Sequence, residues 1–348
     1  MSDYSYTINT KTFGNPCFDD VLIEPVFSNI LSRQDVDLST EFLGLNLSIP
    51  TTNSNMDTIA SPALSKVLAE YGTVASLHRF CTIEENVDAF NASVYNGINP
   101  IVSIGLGQVE LNRMVALSWA GAEIFLLDVA HAANIAVVDF YNLYVKTLPK
   151  AKFIVGNFGT GKEVVEFLNR VDRKPEAICV GIGGGSMCLT RVVTGVGIPT
   201  LTSILDCAGI CGNEGMKMMV NGGLRNSGDV VKALAAGADL IMLGSMFAGT
   251  EEAGGKRNPA ETHKEYRGSA SLKSYEVQGK VAPWRAAEGD STWVPLKGPA
   301  IKVLDSINGG IRSACSYLNA STLDELRANA HFNFVSSNTV NENRAHGK

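Results

Sequence analysis

The stretch Ala177-Ile-Cys-Val-Gly181-Ile-Gly-Gly-Gly-Ser-Met-Cys188 sets a short apolar run against a loop with four glycines in five positions. A run this brief and this continuously apolar reads as a strand covered on both faces. The glycines read as the turn beyond its end. Seven further runs of this form recur at 49–53, 73–77, 100–104, 123–127, 152–156, 217–220 and 240–244. Between most of them lie stretches with helical periodicity, among them 61–71, 108–119, 132–145, 160–171 and 227–236. Strand and helix in alternation call for a parallel sheet, and eight repeats fit a closed α/β (β/α)8 TIM barrel better than an open sheet.

Polar residues and glycines gather just after the runs: Asn55-Met56-Asp57, His78-Arg79, Asp128, Asn157, the loop 181–188, Asn221-Gly222-Gly223 and Gly244-Ser245. In a barrel these positions share the C-terminal rim, where active sites lie. The segment 254–299 breaks the rhythm, is rich in Gly, Ser, Lys and aromatic residues, and is too long for an ordinary connection. It reads as a mobile flap over the rim. Residues 300–317 read as a closing helix, and the polar tail after Val335 as loose.

The bulk numbers bound the function. A chain of 348 residues, 45% hydrophobic and 18% charged, can bury a large core. A net charge of −6 without a long basic run argues against nucleic acid as a partner, while backbone amides remain able to bind a small anion. The seven cysteines are scattered with no CxxC pair, which points to a reducing, cytoplasmic setting. Cys207 and Cys211 lie four apart on a helix with no second ligand pair, so packing rather than metal is the reading for them. Residues 1–20 lack the charged and apolar regions of a leader, and no apolar run is long enough to span a bilayer.

Two sites follow from residue chemistry. Gly222-Gly223 and Gly244-Ser245, each leading into a helix, let backbone amides approach a phosphate. The glycines of the 181–188 loop let carbonyls converge, which suits a monovalent cation, while Ser186 reaches a phosphate. Cys188 beside such an anion site can act as a thiolate nucleophile toward an electron-poor carbon. A buried structural role is the bland alternative for a cysteine, and it suits Cys179 on the strand much better.

These residues resemble the IMP dehydrogenase and GMP reductase barrels over nearly the whole chain. The motifs that carry the resemblance include Phe18-Asp-Asp-Val-Leu-Ile-Glu-Pro25, Asn55-Met56-Asp57-Thr58, Val180 through Arg191, Thr194-Gly-Val-Gly197, Ser227-Gly-Asp229, Tyr266-Arg-Gly268 and Ala286-Ala-Glu-Gly289. The stretch from His78 to Pro100 leaves no room for a CBS pair, so the resemblance implies one catalytic barrel domain over 1–348. Trp284 through Gly289 and Gly309-Gly-Ile-Arg-Ser-Ala-Cys-Ser-Tyr317 are similar to the reductases, and the Arg-Tyr pair of dehydrogenase flaps has no counterpart between Gly268 and Glu288.

The resemblance implies reductive deamination of a guanine nucleotide. Cys188 adds to C2, ammonia departs to leave a thioimidate, and hydride from NADPH yields IMP. It further implies Thr190 and Glu288 as the pair that handles protons. Ser186, Asn221, Gly222, Gly223, Gly244, Ser245, Tyr266, Gly268, Ser269, Ala270, Arg285 and Gly289 would meet the nucleotide. Arg79, Asp128, Ala130 and His131 would border the cofactor, the carbonyls of Gly183, Gly185 and Cys188 would hold potassium, and the assembly would be a homotetramer.

Four departures mark where this chain differs. Asn221 stands where the family has an Asp that accepts hydrogen bonds from the ribose, which opens the way to a deoxy or modified guanylate. Gly268-Ser269-Ala270 replaces Gly-Met-Ser, and Gly183-Gly184-Gly185 replaces Gly-Pro-Gly. Pro25-Val26-Phe27-Ser28 lacks the cations of the reductases' Pro-Lys-Arg-Ser, so NADH stands beside NADPH as a candidate. An oxidation of the IMP dehydrogenase type and a non-catalytic nucleotide-binding protein are the competing functions, and a Cys188→Ala variant separates an enzyme from a binding module.

Overall fold

All eight apolar runs are strands in a computed structural model that describes residues 14–279, 281–336 and 338–343. Ahead of them, β1 (Val21–Ile23) is followed by a hairpin of β2 (Thr40–Phe42) and β3 (Leu45–Leu47). The barrel strands are β4 (Thr51–Asn53), β5 (Ser76–Leu77), β6 (Ile101–Ile104), β7 (Ile124–Asp128), β8 (Lys152–Phe158), β9 (Ala177–Val180), β10 (Lys217–Asn221) and β11 (Leu240–Leu243). They run parallel in the order β4-β11-β10-β9-β8-β7-β6-β5. A side chain spans the remaining seam between β4 and β5: the Asn53 amide donates to the Ser76 carbonyl at 2.8 Å and accepts the Ser76 N–H at 2.9 Å. Asn53 so supplies there what a ladder rung supplies elsewhere.

Period-two geometry divides each continuous apolar run between two cores. Phe153 and Val155, Ile178 and Val180, and Met218 and Val220 point outward into the helix-facing core. Ile154, Ala177, Cys179 and Met219 point inward into a second cluster that fills the barrel. The β2–β3 hairpin contributes Phe42, Leu43 and Leu47 to that inner cluster. Its turn places Leu43 at φ 53° and Gly44 at φ 85°, the left-handed pair that a two-residue hairpin turn requires.

The helices are α1 (Pro62–Glu70), α2 (Ile83–Ser93), α3 (Gln108–Trp119), α4 (Ile135–Thr147), α5 (Gly161–Leu168), α6 (Thr190–Thr194), α7 (Thr200–Glu214) and α8 (Ser227–Ala235). Several start on a side chain that accepts an orphan N–H: Ser61 for α1, Asn134 for α4 and Asn226 for α8. Reciprocal capping boxes open α2 at Thr82 and Glu85, and α5 at Thr160 and Glu163.

The long excursion is not an irregular loop. It holds β12 (His263–Arg267), α9 (Leu272–Val277) and β13 (Ser291–Pro295), with β12 and β13 paired antiparallel from His263 opposite Pro295 to Arg267 opposite Ser291. The expected closing helix is α10 (Ala300–Tyr317), followed by α11 (Leu323–Asn329) and β14 (Phe332–Phe334). β14 pairs antiparallel with β1. The tail read as loose winds into α12 (Thr339–Glu342). No described helix is long and apolar enough to cross a membrane. Of the N-terminal stretch read for a leader, residues 1–13 lie outside the described residues.

Candidate active site

The strand ends and the excursion enclose a cavity of about 460 Å³ at the C-terminal rim. Its floor is built from two loops that touch through bare backbone. A Cβ on Gly181, at φ 128°, would lie 2.1 Å from the Asn221 carbonyl oxygen, and one on Gly222, at φ 86°, would lie 2.9 Å from the Gly185 nitrogen. Both positions therefore need glycine twice over, for conformation and for approach. Below them Thr200, the first residue of α7, places its buried Oγ1 where a Cβ on Gly184 would come to 2.3 Å.

Cys188 sits at the end of this floor. Its thiol donates to Thr190 Oγ1 at 3.2 Å, and its amide donates to the Gly185 carbonyl at 3.0 Å. The excursion then crosses it: Leu189 N–H donates to the Glu288 carbonyl at 2.7 Å, and Asp290 N–H donates to the Met187 carbonyl at 2.9 Å. Cys188 and Gly289 form an isolated antiparallel bridge between those bonds. Residues 268–271 lie on the far side of that strand, where Glu288 N–H donates to the Ala270 carbonyl at 3.1 Å and Gly268 N–H to the Asp290 carbonyl at 2.9 Å. A thiol and a hydroxyl from one loop and a carboxylate from a distant part of the chain thus line one cavity, a set suited to acyl or amidine chemistry through a covalent intermediate.

Residues 15–346 match the model of the IMP dehydrogenase / GMP reductase domain. A GMP reductase of Ascaris suum is 32% identical over 94% of this chain and 95% of its own length. One from Tolumonas auensis is 34% identical over 95% and 97%, and one from Klebsiella pneumoniae is 35% identical over 90% and 93%. The chain belongs to the IMP dehydrogenase / GMP reductase family. As a member of that family it is an oxidoreductase.

Most residues singled out from the sequence of this family member reach the cavity. Ser186 and Tyr266 meet there, with their hydroxyls 2.9 Å apart, and burial pushes the Tyr266 phenol up, which keeps it a neutral donor. Asn221, Gly222, Gly268, Ser269, Ala270, Arg285 and Gly289 also line the wall. Arg285 lies between two rings, with its guanidinium 5.3 Å from Tyr275 and 5.1 Å from Trp284. On the opposite side Arg79 donates to the Asp128 carbonyl at 3.3 Å and lies over the Phe80 ring at 5.1 Å. Burial pushes the Asp128 carboxyl up, while Arg79 and a hydrogen bond from Asn55 pull it down. Ala130 follows on the same wall.

Four of the selected residues stand outside the lining of the cavity. His131 pairs instead with Glu163 at 3.4 Å. Gly223 backs onto Thr200, Gly244 backs onto the Tyr266 hydroxyl, and the Ser245 carbonyl accepts from Lys297 at 2.8 Å. Cys179, Cys207 and Cys211 are buried, and burial pushes all three thiols up, that of Cys211 to about 12. The packing reading of those cysteines fits. Among the described residues no cluster of His, Cys, Asp and Glu is arranged to hold a metal.

The sequence reading did not assign Asn55, Asn157, Tyr275 and Gln278, which line the cavity too. The first two lie at strand ends, where their polarity was the available signal. The latter two lie on α9 and at its C-terminal cap, inside the excursion, where no periodicity announced a helix.

Proposed function

We propose that this oxidoreductase reductively deaminates a guanine nucleotide, converting GMP to IMP, with Cys188 as the nucleophile. The relatives named GMP reductase support the reaction, and one observation carries the assignment of residues: the backbone bonds on either side of the Cys188–Gly289 bridge bring Glu288 to the loop that holds Cys188 and Thr190.

In this reading the phosphate lies on the amides of 183–186 and 222, with Ser186 and Tyr266 as hydroxyl donors. The base lies between Cys188 and 268–270. The Cys188 sulfur, after yielding its proton along the Thr190 contact, bonds to C2. Glu288 and Thr190 protonate the amino group, which leaves as ammonia and leaves C2 joined to sulfur as a thioimidate. NADPH, when bound, supplies the hydride that reduces C2. Arg79 and Asp128 border its place and exclude water from that wall, and Cys188 departs as thiolate to give IMP. Neither Val26 nor Phe27 offers a cation to a cofactor phosphate, so NADH belongs in the same assay.

Potassium fits the loop. Among the described residues no backbone N–H donates to the Gly183 or Cys188 carbonyl, and the Gly185 carbonyl, which accepts one, keeps a second lone pair. Held there, a monovalent ion would brace the loop under Cys188. The 254–299 excursion serves as the flap, and a cytoplasmic homotetramer is the proposed working form.

The test is incubation of the protein with GMP or dGMP and NADPH or NADH, following loss of reduced-nicotinamide absorbance and release of ammonia. Turnover with a guanylate is expected. No turnover with either nucleotide, or reduction of NAD⁺ in the presence of IMP, would overturn the proposal.

A further inference from the structure

Beneath the rim runs a chain of four charged side chains that links the barrel to the excursion. The Arg267 guanidinium donates from Nε to both Asp57 carboxylate oxygens, at 3.3 and 3.2 Å, and a second nitrogen closes the fork onto Asp57. A third guanidinium nitrogen donates to Glu265 at 3.0 Å, and Glu265 pairs in turn with Lys273 on α9. The side chains of Arg267, Asp57 and Glu265 are 12%, 11% and 6% exposed, so the pairs are little screened by solvent.

The backbone is gripped as well. Arg267 N–H donates to Thr58 Oγ1 at 3.2 Å, and the Thr58 hydroxyl lies 3.4 Å from the Arg267 carbonyl. Gly255 N–H donates to the Thr58 carbonyl at 2.9 Å. A Cβ at Gly255 would meet the Glu265 carbonyl oxygen at 2.1 Å and the Thr58 carbonyl oxygen at 3.2 Å, so the backbone at Gly255 is wedged between β12 and the rim.

Arg267 immediately precedes Gly268-Ser269-Ala270, the cavity segment whose backbone bonds lead through Glu288 and Asp290 to the Cys188 loop. We infer that the Asp57–Arg267 pair is a positioning device that sets the distance between the 268–270 wall and Cys188, and with it the fit of the purine. An Arg-to-carboxylate fork holds both direction and distance, which a Lys ammonium does not. Asp57 and Arg267 touch no substrate in this reading. They act through the segment that does, and the inference rests on the guanylate reading of the cavity.

The experiment compares the wild type with Arg267→Lys, which keeps the charge but not the fork, and with the double variant Asp57→Asn/Arg267→Gln, which leaves no lone charge at the pair. KM for GMP, kcat and amide hydrogen exchange over 266–271 and 287–290 are measured on each folded protein. A positioning role predicts that KM rises roughly tenfold in both variants, that kcat changes less than about threefold, and that exchange quickens in those two segments. Wild-type KM and exchange in the double variant would overturn the inference, as would a fall in kcat at constant KM. Exchange needs no turnover, so a wild type inactive on both GMP and dGMP refutes the functional proposal while the exchange result still judges the clamp.

Discussion

Gly222→Ala tests the floor of the cavity directly. Gly222 has φ 86°, and an alanine Cβ there would come to 2.9 Å from the Gly185 nitrogen, 3.3 Å from the Gly184 carbonyl carbon and 3.3 Å from the Gly185 Cα. All three are backbone atoms, so no side chain can turn aside, and relief requires the two loops to part by roughly half an ångström, the gap to ordinary contact. The left-handed conformation costs about 1–2 kcal/mol with a Cβ, and the overpacking about 1–3 kcal/mol. Together they predict a loss of about 2–5 kcal/mol in unfolding free energy, less whatever the loops recover by parting. Because the displaced loop carries Ser186 and Cys188, guanylate turnover should fall roughly 100-fold.

Denaturant unfolding and steady-state kinetics measure the two effects. Gly195→Ala supplies the control: φ is 70° there, but nothing lies within 4 Å of the added Cβ, so only the conformational cost of about 1 kcal/mol applies. A Gly222→Ala protein as stable and as active as Gly195→Ala would refute the claim that the loops meet through bare backbone.

Three further outcomes follow from the site. Cys188→Ala should abolish turnover, by about 10⁴-fold or more, while calorimetry shows GMP binding retained; residual turnover near wild type removes Cys188 from the chemistry. Asn221→Asp should shift preference from dGMP toward GMP by roughly tenfold, because a carboxylate is the stronger acceptor for a sugar hydroxyl, and the ratio of kcat/KM for the two nucleotides reads it. Burial raises the Asp128 carboxyl above its ordinary range, so its contribution to stability is fully present below that range and is lost as pH rises through the folded-state value. Asp128→Asn should therefore gain stability over wild type at neutral pH and lose that gain in acid, as denaturant midpoints at both pH values would show.

Most barrel strands were legible because burial on both faces leaves a continuous apolar run, although β4, Thr51-Thr-Asn, is as fully buried and polar. Glycine loops at their ends exposed the floor of the site for a similarly local reason. The excursion was not legible as a ribbon, because β12 reads His-Lys-Glu-Tyr-Arg: Lys264, Glu265 and Tyr266 are buried, but their burial depends on partners such as the Ala253 carbonyl, Lys273 and Ser186. Alternation of polarity cannot reveal a strand whose inward residues are ions. The β1–β14 pair and the Asn53 seam escaped for another reason, since each is a contact between residues whose local patterns say nothing of each other. The resemblance named Glu288, but the bridge at Gly289 is what brings its segment to the cavity that Cys188 lines.

That bridge has a consequence for the order in which the protein gains and loses its chemistry. A ribosome has made the whole Cys188 loop and all eight barrel strands, the last of which ends at Leu243, well before residues 288–290 emerge. Until they dock, the cavity that Cys188 lines lacks Glu288. The reverse holds on heating: the excursion meets the Cys188 loop through a few backbone bonds, whereas the barrel is held by two continuous apolar cores, so that meeting can come undone while the barrel stays folded.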